Sequence, residues 1–210
     1  NVLVLAPHTD DAEIGCGGTI SRLKRSGANV KILTFSSCQQ SIPDGYDKDA
    51  LKNEAILAAG FMGIKSDEIE ICNFPVRRFN EFRQDILEKL VTVRRENLFD
   101  AVIVPNSNDI HQDHQVIHHE ALRAFKMTNL VGYELPWNDF KSSNNMFVAL
   151  EKEDIEKKIR SIAFYETQKT LRSYVNREVI EAFCKVRGIQ AGCEYAEAFE
   201  IIRLICKTNV

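Results

Sequence analysis

An α/β architecture, a mainly parallel sheet flanked by helices, is the fold class this sequence predicts, and three observations predict it. Short apolar, β-branched runs alternate with helical patterns through the first two thirds of the chain. Two of those runs, residues 2–6 (VLVLA) and 101–105 (AVIVP), are continuous enough to be strands buried on both faces. Each is followed by a polar cluster, and strand ends are where a parallel sheet gathers groups that are distant in sequence.

Taken in order, the first strand over 2–6 leads into a helix over 11–25 that Gly27 ends. Residues 29–35 are the second strand. Residues 36–46 carry Gln, Ser, Pro and Gly and form a loop leaving that strand's C-terminal end. A helix is expected over 47–59, closed by Gly60, then a short strand over 68–72, a loop over 73–78 and a helix over 80–97. After the strand at 101–105, the polar loop Asn106-Ser107-Asn108-Asp109 leads into a helix that runs to Phe125. Residues 130–135 resemble another strand, ending in Pro136-Trp137. Beyond Glu151 the pattern is mostly helical until a late strand over 199–205. The sequence contains no internal repeat and no low-complexity segment.

Bulk properties narrow the function classes. At 210 residues one sizeable core is expected, and the chain reads as a single domain over 1–210. Hydrophobic residues at 44%, charged residues at 27% and a net charge of -3 offer no electrostatic case for nucleic acid. No run of about eighteen apolar residues marks a membrane span. The 6 cysteines have no C-x-x-C spacing and suit free thiols in a reducing compartment. With no leader pattern at Asn1, unless an earlier segment was trimmed, a cytoplasmic location is expected. A homo-oligomer is compatible with all of this.

The chemistry concentrates in Pro7-His8-Thr9-Asp10-Asp11-Ala12-Glu13 and His111-Gln112-Asp113-His114. A catalytic zinc site needs three protein ligands, usually nitrogen or oxygen, and an open position for water. His8 and Asp11 at a strand-to-helix turn can converge on one ion, with His114 supplying a second imidazole from another strand end. Two histidines and one carboxylate suit zinc and several other divalent first-row metals. The neighbouring Asp10 is then free to take a proton from water. His111, three residues before His114, lies close enough to assist an oxyanion or a leaving group. Asp113 can fix the tautomer of His111 or His114.

Simpler readings compete with these. An Asp-Asp pair is often helix N-cap chemistry, a role that would suit Asp11. His118 and His119, further along the helix, read as ordinary helical residues. Gly15-Cys16-Gly17-Gly18 lacks the third glycine of G-x-G-x-x-G, where the chain has Ile20, so close packing of helix on sheet explains it better than a dinucleotide site. A receiver-domain reading of Asp10-Asp11 leaves the second cluster unexplained.

At these residues the chain resembles the LmbE-like, or PIG-L-like, family of zinc-dependent N-acetylglucosaminyl deacetylases. That family's motifs, A-H-P-D-D-E continuing towards L-G-C-G-G-T and then H-x-D-H, correspond to residues 7–19 and 111–114. Fainter echoes extend the likeness: Asn53-Glu54-Ala55 with residues 58–63, Tyr165-Glu166-Thr167-Gln168, and residues 194–199 against the family's A-E-A-F. The resemblance implies a Rossmann-like three-layer α/β sandwich that hydrolyses an N-acetyl group from a small-molecule amino sugar or its conjugate. It implies that His8, Asp11 and His114 bind zinc, Asp10 is the general base, His111 stabilises the oxyanion or acts as acid, and Asp113 orients a catalytic histidine. Thr9 stands for the family's proline and Ala12 for its glutamate, with Glu13 one residue later; neither change removes a metal ligand.

For substrate contacts the loop arginines Arg77 and Arg78 are expected to face the crevice, since guanidinium suits sugar hydroxyls, carboxylates and phosphates. Asp109, Glu134 and Trp137 are weaker candidates from neighbouring loops. Other readings that fit the residues are a zinc amidase for a non-sugar N-acyl substrate and a metal-retaining binding module that has lost catalysis.

Overall fold

The computed structural model describes residues 1–141, 143–169, 171–173 and 176–206. Its elements in chain order are β1 (Val2–Ala6), α1 (Asp11–Arg25), β2 (Val30–Thr34), α2 (Ala50–Phe61), β3 (Ile69–Ile71), α3 (Arg83–Glu96), β4 (Ala101–Pro105), α4 (Gln112–Ala124), β5 (Asn129–Tyr133), β6 (Met146–Leu150), α5 (Lys152–Ile162), α6 (Glu166–Lys169), α7 (Arg177–Ala191) and β7 (Tyr195–Arg203). Seven strands form one sheet in the order β3-β2-β1-β4-β5-β7-β6. The first five pair in parallel, and β7 runs antiparallel to both β5 and β6.

Alternation along each strand splits the core into two layers. Leu3 and Leu5 of β1 pack with Val102 and Val104 of β4 against Ile86 and Leu90 of α3 and Ile117 of α4. Val4 and Ala6 turn to the opposite face, against Cys16 and Ile20 of α1 and Met62 after α2. That is a three-layer α/β sandwich with a mainly parallel sheet. The chain lays down β2 and β3 on one side of β1 and β4 and β5 on the other, so the winding direction reverses between β1 and β4. Those two strands are direct neighbours, with Val4 opposite Ile103. In open α/β sheets a crevice forms at such a reversal, outside the strand C-termini.

Four elements depart from the sequence expectation. Helix α2 starts at Ala50 and runs through Gly60 to Phe61; the left-handed residue that follows it is Gly63, at φ 89°. The expected helix over 80–97 opens with a 3-10 turn at Phe79–Phe82. Strand β6, Met146–Leu150, has no counterpart among the expected strands; it lies at the sheet edge beside β7. The late strand begins at Tyr195, four residues before the expected start, because its first half pairs with β6. Among the described residues no helix is long and apolar enough to cross a membrane.

Candidate metal centre and active site

The first cluster occupies the turn from β1 to α1. The His8 backbone N–H donates to Asp11 Oδ2 at 2.8 Å, which folds the Asp11 carboxylate back over its own loop. Asp10, not Asp11, is the residue that caps α1 by position, and its side chain makes no capping hydrogen bond. Its carboxylate lines the crevice instead. The second cluster starts α4. His111 is the N-cap, its Nδ1 accepting the Asp113 backbone N–H at 3.2 Å, so the ring's proton sits on Nε2.

Across the crevice the two clusters meet. His8 Nδ1, His114 Nε2 and Asp11 Oδ2 stand 3.2 Å from one another on all three sides. Tetrahedral zinc with bonds of about 2.0–2.1 Å spaces its ligand atoms about 3.3 Å apart, so this triangle has the size of one face of such a site. The triangle is that expected for two histidines and one carboxylate, and its donor chemistry fits a divalent cation. Ring nitrogens of His8, His111 and His114 also lie within 4.8 Å of one another. The set containing Asp11 is the tighter one, and His111 already spends Nδ1 on its helix cap.

The far nitrogen of each triangle histidine meets a carboxylate. His8 Nε2 lies 3.0 Å from Asp113 Oδ2, and His114 Nδ1 lies 2.7 Å from Asp109 Oδ2. A carboxylate only accepts, so both far nitrogens carry a proton, and on the neutral rings, the form that ligates a metal, both near nitrogens offer a lone pair. Asp113 therefore serves His8, across 105 positions of sequence, and not His111 or His114. Fully buried, it also accepts the Arg77 and Phe79 backbone N–H groups at 2.5 and 3.2 Å. Asp109 ties both histidines of its own cluster, accepting the His111 N–H on its other oxygen at 2.8 Å.

Burial and the adjacent Asp11 charge push the Asp10 carboxyl up to about 6, against the pull of His8 and Arg172. Burial lowers His111 to about 4, helped by His114 and His8, which leaves its ring neutral near pH 7. Burial also acts to lower His114, but Asp11 and Asp109 outweigh it and raise the group to about 10. The centre thus draws positive charge between its carboxylates.

A cavity of about 220 Å³ opens over the triangle, with Asp10, His111, Arg77, Trp137, Gln168 and Arg172 in its wall. Among the described residues, the two non-glycine residues with positive φ, Cys38 at 55° and Arg77 at 67°, both belong to that wall. A left-handed backbone costs such residues about 1–2 kcal/mol, and strain of this kind collects at functional sites. At Arg77 it aims the backbone N–H at Asp113.

The remaining candidates separate. Arg78 is not in the cavity wall; it is 60% exposed and paired with Glu81. Glu134 is buried on Arg187 and Asn144, outside that wall. His118 turns its Nδ1 to the Pro105 carbonyl at 2.8 Å, a buried contact of helix with strand. Thr9 and Glu13, where the first motif is unusual, both meet Tyr165: its hydroxyl donates to the Thr9 carbonyl, and the buried Glu13 is pushed by desolvation up to about 8. From sequence Asp109 reads only as a weak substrate contact, although an acid two residues before a helix-capping histidine is a usable signal. Arg172 gives no local signal, because it follows α6 outside any helix or strand, where no periodic face marks it.

The profile of the family described as PIG-L: GlcNAc-PI de-N-acetylase matches residues 3–125. A diacetylchitobiose deacetylase of Thermococcus kodakarensis is 27% identical over 173 residues, 80% of this chain; the chain spans 60% of that relative's length. Among solved structures, the conserved protein TT1542 from Thermus thermophilus superposes with a TM-score of 0.78 at 24% identity, covering 99% of this chain and 96% of that one. GalB, the 4-carboxy-2-hydroxymuconate hydratase of Pseudomonas putida KT2440, reaches the same 0.78 at 19% identity over 100% and 98% of the two chains. These structural likenesses establish a shared fold.

Proposed function

The chain belongs to the PIG-L family, and from that premise we propose that it is a metal-dependent hydrolase removing an N-acetyl group from an N-acetylglucosamine-type amino sugar or its conjugate. The observation that carries the reading is the 3.2 Å triangle of His8, Asp11 and His114 with an uncommitted Asp10 carboxylate beside it. A divalent cation held by those three residues, zinc or another first-row metal, supplies Lewis acidity that activates water and polarises a carbonyl. The family and the Thermococcus diacetylchitobiose deacetylase support the amide as the bond cleaved.

The protein's own groups divide the work. Asp10, with its carboxyl raised towards neutrality, accepts the proton of the attacking water and returns it to the departing amine. His111 Nε2–H donates to the oxygen that gains negative charge, a task for which its neutral ring and capped Nδ1 prepare it. Asp113 and Asp109 hold the two imidazoles in the ligating tautomer. Acetate and a free amine are the products.

The hydratase with the same fold shows that the fold does not dictate the reaction, so the test reads a product that hydration cannot yield. Zinc-loaded protein is incubated with N-acetylglucosamine glycosides and with N-acetylated amines that lack a pyranose. Equal amounts of acetate and primary amine from the sugars are expected, abolished by a chelator and restored by zinc. Equal rates on the non-sugar amides would favour a general amidase, and zinc binding with no amine from any compound would reduce the protein to a binding module.

A further inference from the structure

We infer that Tyr165 and Cys38 are positioning residues: they grip the Thr9 peptide from two sides and thereby fix where Asp10 presents its carboxylate to the metal centre. The inference rests on the deacetylase reading for the task of Asp10, but not for the grip.

His8, Asp11, His111 and His114 are each tied by a side-chain hydrogen bond to another residue. Asp10 differs. Its carboxylate makes no helix cap and meets its own backbone N–H, while His8 and Arg172 pull on it through charge. A bond within one residue cannot tie a side chain to the rest of the protein, so the direction of the carboxylate follows the backbone at residues 9–10. Thr9 has no ring to lock its φ, as a proline would. That backbone therefore needs an outside anchor.

The anchor comes from two distant elements. Tyr165, fully buried between α5 and α6, donates its hydroxyl to the Thr9 carbonyl at 2.5 Å, across 156 positions of sequence. Two residues on, Thr167 is fastened to Glu54 of α2 by its N–H at 3.0 Å and its hydroxyl at 2.6 Å, which holds the tyrosine's segment in place. On the other side the Thr9 N–H meets the Cys38 thiol. Cys38 reaches it from a left-handed backbone at φ 55°, with its own N–H on Ser36 Oγ at 3.1 Å. The Ser36 N–H in turn donates to the Pro7 carbonyl at 3.1 Å. The left-handed turn at Cys38 thus serves Asp10 as the one at Arg77 serves Asp113. Tyr165 and Cys38 also pack in one apolar cluster with Leu51 and Val76, so the grip is built into the folded chain before any substrate arrives.

Tyr165→Phe removes one oxygen and keeps the buried ring. In zinc-loaded protein it is expected to lower kcat for acetate release about ten-fold while KM and zinc affinity change less than about two-fold, because a small misplacement of a reacting group costs rate. Beside Asp10→Asn the same substitution should cost less than about two-fold, since a residue that acts through Asp10 then has nothing left to position. A merely structural loss would recur in full in that background. Amide hydrogen exchange by NMR gives a readout independent of activity: the Thr9 and Asp10 N–H groups of Tyr165→Phe should exchange about ten-fold faster than in the wild type, with Ile20 of α1 unchanged. Cys38→Ala, which takes the sulfur from the other side of Thr9, should give the same pattern and carries the test if Tyr165→Phe does not fold. Unchanged kcat, a loss repeated in full beside Asp10→Asn, or unchanged exchange at Thr9 and Asp10 would overturn the proposal. If the wild type releases no acetate from any compound, the deacetylase reading falls and the exchange measurement alone decides the grip. Acetate release with unchanged exchange in both variants sinks the grip alone.

Discussion

Asp109 and His114 are joined at 2.7 Å, and that contact decides which nitrogen of a neutral His114 keeps the lone pair that the proposed metal would use. An amide at position 109 can donate to Nδ1, which lets the proton move to Nε2 and block the ligand atom. Asp109→Asn is therefore expected to fold normally and to bind zinc about 10–100-fold more weakly, as losses of such outer partners do; a chelator-competition titration measures it, and unchanged affinity would remove Asp109 from the account. Asp113→Asn should act likewise through His8. At this scale the sequence was legible where spacing is short. His8 with Asp11 and His111 with His114 are local pairs, and their meeting followed from their equivalent places after two strands. The partner of Asp113 was not legible, because the ring it serves is contributed by another strand end. Arg78 misled for a related reason: adjacent arginines in a loop look alike, yet the turn sends one side chain to Glu81 and the other to the cavity wall.

Helix α1 shows what a glycine run does when it is not a nucleotide loop. Its backbone leaves helical geometry at Cys16, with φ -146° and ψ 25°, and the freed N–H groups of Gly18 and Thr19 donate to the Glu197 carboxylate at 2.9 and 2.7 Å. A Cβ on Gly15 would stand 2.3 Å from the Tyr133 ring, and one on Gly18 2.5 Å from Leu150. Gly15→Ala is expected to destabilise the protein by about 1–3 kcal/mol through overpacking. Gly60→Ala, on an exposed helical position with open space around it, should instead stabilise by about 0.4–1 kcal/mol. Urea unfolding of the two variants checks the contrast, and equal effects would contradict it. The close packing was legible from the missing third glycine of the dinucleotide pattern. Strand β6 was not, although Met146–Leu150 (MFVAL) is as continuously apolar as β1: a lone apolar run of five does not by itself separate a strand from the start of the helix that follows, and its partner β7 is distant in sequence.

For the molecule as a whole, the tie between its halves is the buried pair Lys158–Glu197, 2.5 Å apart with both side chains 4% exposed. Lys158 also donates to the Ile14 carbonyl, so α5, β7 and the kink of α1 meet at one point. Removing one member of a buried pair costs about 3–5 kcal/mol. Glu197→Leu should reach the upper end, because it strands the ammonium and two backbone N–H groups; Lys158→Met should cost less, since those N–H groups keep their acceptor. Calorimetric unfolding reads both, and a milder effect for Glu197→Leu would refute the ordering. Because the sheet is continuous from β3 to β6, we propose that residues 1–210 unfold in a single transition. The parallel half of that sheet was plain in the alternation of strands and helices, whereas its antiparallel edge depends on pairings between residues far apart in sequence. The reversal of strand order between β1 and β4 brings the whole constellation to one crevice, and the account stands on what Asp10 does there. Acetate release from an N-acetylglucosamine glycoside by wild-type protein and Asp10→Asn, each at one zinc per chain by metal analysis, measures this most directly. Equal zinc and turnover lowered about 10²–10⁴-fold in the variant are expected; wild-type turnover by zinc-loaded Asp10→Asn would show that Asp10 is not the base.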